Sequence, residues 1–317
     1  IVPAQLLPPF RNGELFMQLQ ELHDLHGPIV RLGPNTISII DYKTIQEVYH
    51  SYDYPKALGW YQGFRVAGYG FFDTTDGNFH RQRKRIMQPA FTVKSLRAME
   101  GSLLEFGVGN LLKFFNRRYH AQKEDETDKS SLELNIYHTF TLASLDMATR
   151  LSLGKSVNML SVGSHPITTW FNSIKNLVVI CNVLPFLRHV KIGFSKLRQD
   201  VQAFKDYANE CIADRETRIK AELDELAKTE SNPLEALKQR GISDILGNLI
   251  VAQDPETGAH LSREDLITET IVLLFGGGDT TASSLSMVLF QLFHNPKVLQ
   301  QLQEELREAF PLPTSAE

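Results

Sequence analysis

From Phe79 onward, apolar residues recur every three or four positions through most of the chain, the spacing that lines one face of an α-helix. The N-terminal part reads differently. A Pro-rich lead-in (Pro3, Pro8, Pro9) precedes a helical pattern from about Gly13 to His26. Two short β-prone runs then flank Gly33-Pro34-Asn35, which predicts a hairpin over about 29–40. Asp41 stands where an N-cap belongs and predicts a helix to about Tyr49. The segment Tyr52 to Gly77, rich in glycine and aromatics, reads as mostly loop. Lys123 to Ser131 and Lys228 to Gly241 are charged and poor in apolar residues, and both read as loops between helices. Ser262-Arg263-Glu264-Asp265 begins a long helix, with Ser262 as N-cap and acids in the first turn, where they meet the positive end of the helix dipole. It is expected to run to about His294. Asn295-Pro296 then starts another helix, with proline at the first position, where its missing N–H costs least. The fold class is mainly α with a small β element near the N-terminus.

Composition narrows the function classes only slightly. The 317 residues are 42% hydrophobic and 22% charged, with a formal net charge of -4, so nothing global points to nucleic acid. Two cysteines, Cys181 and Cys211, are too few for a disulfide scaffold and suit a reducing compartment. The sequence reading finds no apolar run near the roughly 20 residues that span a bilayer. The chain begins at Ile1 and ends in a short polar stretch after Pro311, so both ends read as cuts, although processing also explains the first.

Two constellations carry chemistry. The first is Leu273-Leu274-Phe275-Gly276-Gly277-Gly278-Asp279-Thr280-Thr281 within the long helix. Apolar residues surround the glycines, so the helix is expected to be central and buried. Each glycine in a helix interior costs roughly 1 kcal/mol relative to alanine. Missing side chains let something large approach the backbone. An acid beside an alcohol at such an opening suits proton delivery. A break between two shorter helices is the other reading of the same residues. A phosphate loop fits poorly, because no lysine follows at the required spacing.

The second is the basic run from Gly77 to Phe91, with Arg81, Arg83, Lys84 and Arg85 in five residues. Helical spacing puts His80 and Lys84 on one face. A solvated basic face or a nucleic-acid patch is the alternative, and the apolar Ile86, Met87 and Phe91 argue against a free basic tail.

Gly276 to Thr281 resembles the central-helix signature of cytochromes P450, in which a small residue and glycine are followed by x-(Asp/Glu)-Thr-(Thr/Ser). The basic helix, about 79–91, resembles that family's Trp/His-x-x-x-Arg helix ahead of a Pro-Ala-Phe-like run, with lysine here in place of arginine. Gly27 to Ile39 looks like the family's first hairpin, and the approach to the central helix, Ala252 to Ser262, resembles fungal-type members. The resemblance covers nearly the whole chain and implies one incomplete P450 domain over residues 1–317.

The resemblance further implies a haem cofactor, with Gly276 and Gly277 forming its oxygen pocket and His80 and Lys84 contacting a propionate. Asp279 and Thr280 take the proton-delivery role. The aromatic loop implies Phe71 and Phe72, with Phe275 of the central helix, as substrate-pocket residues, for which packing is an equal reading. Neither cysteine has the flanking residues of the haem loop, so no metal ligand is expected in this chain and the axial thiolate is expected beyond residue 317. The implied activity is insertion of one oxygen atom from O2 into a small apolar organic substrate. Electrons would come from an NADPH-cytochrome P450 reductase, at the cytosolic face of the endoplasmic reticulum membrane, through an N-terminal anchor not in this sequence. Two alternatives stand beside it. A haem-thiolate isomerase or dehydratase fits less well, since such relatives typically lack the acid–Thr pair. The other is an inactive remnant without haem.

Overall fold

The computed structural model describes residues 14–51, 53–65, 67–124, 134–188 and 194–311. Most of the loop expected at Lys123 to Ser131 lies outside them. The chain forms two compact units, Ile1–Ala57 and Leu58–Glu317.

The first unit holds α1 (Leu15–His26), β1 (Ile29–Gly33), β2 (Thr36–Ile39) and α2 (Tyr42–His50). The strands pair antiparallel, with Ile29 opposite Ile39 and Val30 opposite Ser38. Gly27 leaves α1 at φ +90°, a conformation that favours glycine. The buried His23 ring then ties helix to hairpin through Gly27 O at 2.9 Å and Ser38 Oγ at 2.8 Å. Asp41 caps α2 by accepting from Thr44 N at 2.9 Å. Both the hairpin and the cap match the sequence expectation.

The second unit is helical. After a single turn at Leu58–Tyr61, it comprises α3 (Gly77–Met87), α4 (Val93–Ser102) and α5 (Asn110–Glu124), the last two joined by a wider-wound segment, Leu103–Gly109. Then follow α6 (Ile136–Ser152), α7 (Pro166–Val183), α8 (Ser195–Leu226), α9 (Pro233–Arg240), α10 (Ile245–Val251), α11 (Arg263–His294) and α12 (Pro296–Ala309). α11 packs most extensively on α6, and α8 packs on both α7 and α11. Leu145, Phe171, Ile174, Phe204, Ala208, Ile271 and Leu274 fill the core between them. A second cluster joins Ile86 and Met87 of α3 to Leu246, Leu249 and Leu266.

The predicted bounds of α11 hold. Ser262 and Asp265 form a reciprocal capping box at its start, and Asn295 closes it after His294. Two expectations are corrected. Lys228 to Gly241 is not all loop, because α9 occupies most of it. Asn232 caps α9 through Glu235 N, Pro233 opens it, and Leu237 anchors it in a third cluster with Ile219 and Ile242. One buried leucine per two turns is a weak periodic signal, which the charged residues mask. Nor is α11 buried throughout. Leu266 to Ala282 contribute its buried positions, whereas Leu285, Met287, Val288, Phe290 and Phe293 are exposed among the described residues. By length and composition alone α11 could cross a bilayer, although polar residues such as Glu269 and Asp279 interrupt its apolar run. Its buried Glu269 and Thr270 and its packing on α6 mark the first half as a core element.

Candidate active site

The three glycines of α11 have three different environments. A β-carbon at Gly278 would sit 2.6 Å from Leu145 Cδ2, so this glycine lets α11 close onto α6. At Gly277 the same atom would lie 3.4 Å from Ala148 Cβ, in ordinary contact. At Gly276 it would meet nothing within 4 Å. Gly276 and Gly277 are both exposed, so a strip of helix backbone stands bare at this point. The chain does not break here, and α11 continues unbroken through all three glycines, which excludes the reading as two shorter helices.

Asp279 and Thr280 follow directly, but they face different ways, since consecutive helical residues are turned about 100° apart. Asp279 Oδ1 accepts from Lys175 Nζ of α7 at 3.1 Å and from Tyr137 Oη of α6 at 3.1 Å. Its side chain is 30% exposed and that of Lys175 34%. Thr280 Oγ1 instead donates back to the Gly276 carbonyl one turn earlier. No hydrogen bond joins Asp279 to Thr280 among the described residues.

On α3, Asp76 caps the helix through the N–H groups of Asn78 and Phe79. The four cations that follow have separate fates. Arg83 is buried, pairs with Asp265 of α11 and lies over the Phe79 ring. Arg85 forms a two-pronged pair with Asp254, 3.0 Å for each bond, and reaches Glu256. Arg81 is exposed and donates to Asn78. Lys84 is exposed and makes no ion pair among the described residues. His80 is half-buried, with its ring stacked on Phe71 at 4.5 Å.

The aromatic candidates separate into two groups. Phe71 packs on His80, and Phe72 lies against Phe64 at 5.2 Å and Tyr61 at 5.7 Å. Phe275 stacks on Phe171 at 4.6 Å, at the edge of the main core. Cys181 and Cys211 are both buried in helices, and burial pushes the Cys211 thiol pKa up.

Sequence reasoning missed Glu269. It lies ten positions before Asp279 in an apolar stretch of α11, is 1% exposed, and accepts a 2.8 Å hydrogen bond from Phe71 N. Burial pushes its carboxyl up to about 7, against the lowering effect of the Phe71 N–H and Arg83. The available signal was a lone acid inside a run of buried positions, which reads as a surface residue unless a partner is known.

A family model described as Cytochrome P450 matches residues 4–315. Among curated proteins, the cytochrome P450 monooxygenase LUC2 of Fusarium sp is 24% identical over 297 residues, covering 92% of this chain and 52% of that protein. The monooxygenase acrD of Aspergillus aculeatus is 27% identical, covering 95% of this chain and 55% of its own length. Benzoate 4-monooxygenase bphA of Aspergillus niger is 25% identical, covering 96% and 59%. The chain thus spans somewhat over half the length of these relatives. Among solved structures, the haem domain of cytochrome P450DA matches with a TM-score of 0.72 at 19% identity, covering 96% of this chain and 61% of that one, a likeness of fold. Matched along nearly all of its length, the chain belongs to the cytochrome P450 family.

Proposed function

We propose that the chain serves a haem-dependent monooxygenase acting on a small apolar organic substrate. The observation that carries this is the bare, exposed backbone at Gly276 and Gly277, followed at once by Asp279 and Thr280. A flat apolar cofactor with two carboxylates needs an unobstructed face and a cation. Gly276 and Gly277 supply the first, and the uncommitted Lys84 beside His80 supplies the second. The engagement of Arg83 and Arg85 within the protein supports that assignment over either arginine. Lys84 would neutralise a propionate as a point charge, without the bidentate fork of arginine. Neither Cys181 nor Cys211 suits an axial ligand, because both are packed in helices, so the thiolate is assigned to a residue outside this sequence. Thiolate-bound haem supplies reductive activation of dioxygen and transfer of one oxygen atom to the substrate.

The chain's own residues then orient the substrate and move protons. Asp279, a third exposed and ion-paired, exchanges protons with solvent. Thr280 Oγ1 passes them on after its hydroxyl turns from the Gly276 carbonyl. Phe71, Phe72 and Phe275 offer apolar walls to the substrate. Electrons are assigned to an NADPH-dependent reductase docking at the face of α3 that exposes Arg81, at the cytosolic face of the endoplasmic reticulum.

In the complete enzyme, Thr280→Ala should lower product formed per dioxygen consumed several-fold, with reductase and NADPH supplied. Unchanged coupling would remove Thr280 from the relay. A thiolate-type carbon monoxide band from residues 1–317 reconstituted with haem would show that one of the two cysteines is the ligand after all. Turnover of a peroxide substrate without reductase would favour an isomerase or dehydratase.

A further inference from the structure

The loop 67–74 lies against α11 at Thr268 and Glu269, and its glycines make that contact possible. A β-carbon at Gly68 would collide with Thr268 Oγ1. One at Gly70 would come within 3.1 Å of Thr268 Cγ2 and 3.3 Å of both Glu269 carboxyl oxygens. A strong polar bond spans the contact, from Phe71 N to Glu269 Oε1 at 2.8 Å. The other oxygen, Oε2, is buried without a hydrogen-bond partner among the described residues.

The charges around this contact do not balance if every acid is ionised. Asp73 of the loop is held by Arg65 Nε at 3.0 Å and Gly70 N at 2.8 Å. Asp265 of α11 is paired with Arg83 of α3. Each guanidinium in the cluster already has its own carboxylate, and Glu269 is the additional acid. As an anion it would be a buried charge with one hydrogen bond and a second oxygen without a hydrogen-bond partner among the described residues, which is costly. As a neutral acid it keeps the Phe71 bond without that penalty.

We propose that Glu269 is a proton-dependent clasp: neutral, it holds loop 67–74 against α11, and ionised, it releases the loop. The loop carries Phe71, which stacks on His80, and Phe72, so release would loosen the residues assigned above to the pocket and the haem edge. The charged groups acting on Glu269 are Arg83 from α3, Asp73 from the loop and Asp265 from its own helix.

The direction with pH follows from the two states. In the docked loop the carboxyl titrates at about 7, against an ordinary value of 4.5 once released into water. A raised pKa in the docked state means that docking is strongest below pH 4.5 and weakens as pH rises to about 7. Above that it stays at its weakest. The gap corresponds to roughly a 300-fold change in the docking equilibrium across the whole window.

Amide hydrogen exchange over residues 69–73, corrected for the intrinsic rate at each pH, reads this directly. In the wild-type chain, protection of the Phe71 amide should fall on the order of 50- to 100-fold between pH 5 and pH 8. Glu269→Gln keeps the acceptor and cannot ionise, so its protection should be nearly flat over the same range. Flat or rising protection in the wild type overturns the proposal, whether or not the variant folds. The same fall in Glu269→Gln also overturns it, by moving the titration to another group such as Asp73. Neither readout involves haem or turnover, so the result stands apart from the assigned activity.

Discussion

Lys175 of α7 and Asp279 of α11 are ion-paired at 3.1 Å across 104 residues of sequence. The pair joins the acid of the glycine-rich segment to a neighbouring helix, with Tyr137 of α6 sharing the same carboxylate oxygen. Both side chains are about a third exposed, so solvent screens the attraction. A double-mutant cycle of Lys175→Met and Asp279→Asn, followed by urea unfolding, should therefore give a coupling of no more than about 1 kcal/mol. A coupling well above that would mean that the pair is better shielded than its exposure indicates.

The glycine triplet should answer to alanine in opposite ways. Gly276→Ala meets open space and gains helix propensity, so stability should rise by up to about 1 kcal/mol. The same change should weaken haem binding in the complete enzyme if the bare strip receives the cofactor. Gly278→Ala forces a methyl against Leu145, and overpacking of about 1–3 kcal/mol should outweigh the propensity gain. Urea midpoints of the two variants should thus move in opposite directions from wild type.

Arg215 of α8 is buried and grips Asp244, which caps α10, at 2.9 Å, while also reaching Glu222 at 2.8 Å. Arg215→Met leaves Asp244 buried without its counter-charge, and the expected loss is roughly 3–5 kcal/mol. Adding Asp244→Asn to that variant should recover part of the loss in thermal or urea unfolding, since the stranded charge is removed while a cap acceptor remains.

Acid should weaken the bond between α3 and the turn ahead of α11. Hydrogen bonding from Arg85 holds the Asp254 carboxyl down at about 2. A depressed pKa contributes stability above the ordinary value of 3.8, and that contribution is lost as pH falls through about 2. The stability difference between wild type and Arg85→Gln should therefore be constant from pH 5 to 7 and shrink below about pH 4. A difference that grew on acidification would place the important titration elsewhere.

Both ends of α11 were legible because each has a local cause: the Ser262–Asp265 capping box and the Asn295-Pro296 restart. The hairpin and the Asp41 cap were legible for the same reason. The basic helix was visible as a charge run, but its internal order was not. Arg83 and Arg85 are committed to Asp265 and Asp254, partners 182 and 169 positions away, and only the fold brings them together. Glu269 was hidden for a similar reason, since its Phe71 partner lies 198 residues away. The α9 helix escaped because one buried side chain, Leu237, anchors it, and eight residues, half of them polar, carry little periodicity.

The exposed apolar half of α11 also governs how a solution of these 317 residues would behave. Leu285, Met287, Val288, Phe290 and Phe293 face outward, and Val298, Leu302 and Leu306 continue the exposed apolar surface onto α12. An uncovered surface of this kind adheres to copies of itself and to hydrophobic dyes. Purified alone, the polypeptide should bind such dyes while keeping its helical circular dichroism, and it should self-associate as concentration rises. Material prepared this way is best handled dilute or with mild detergent, and a light-scattering check belongs before any binding measurement made on it.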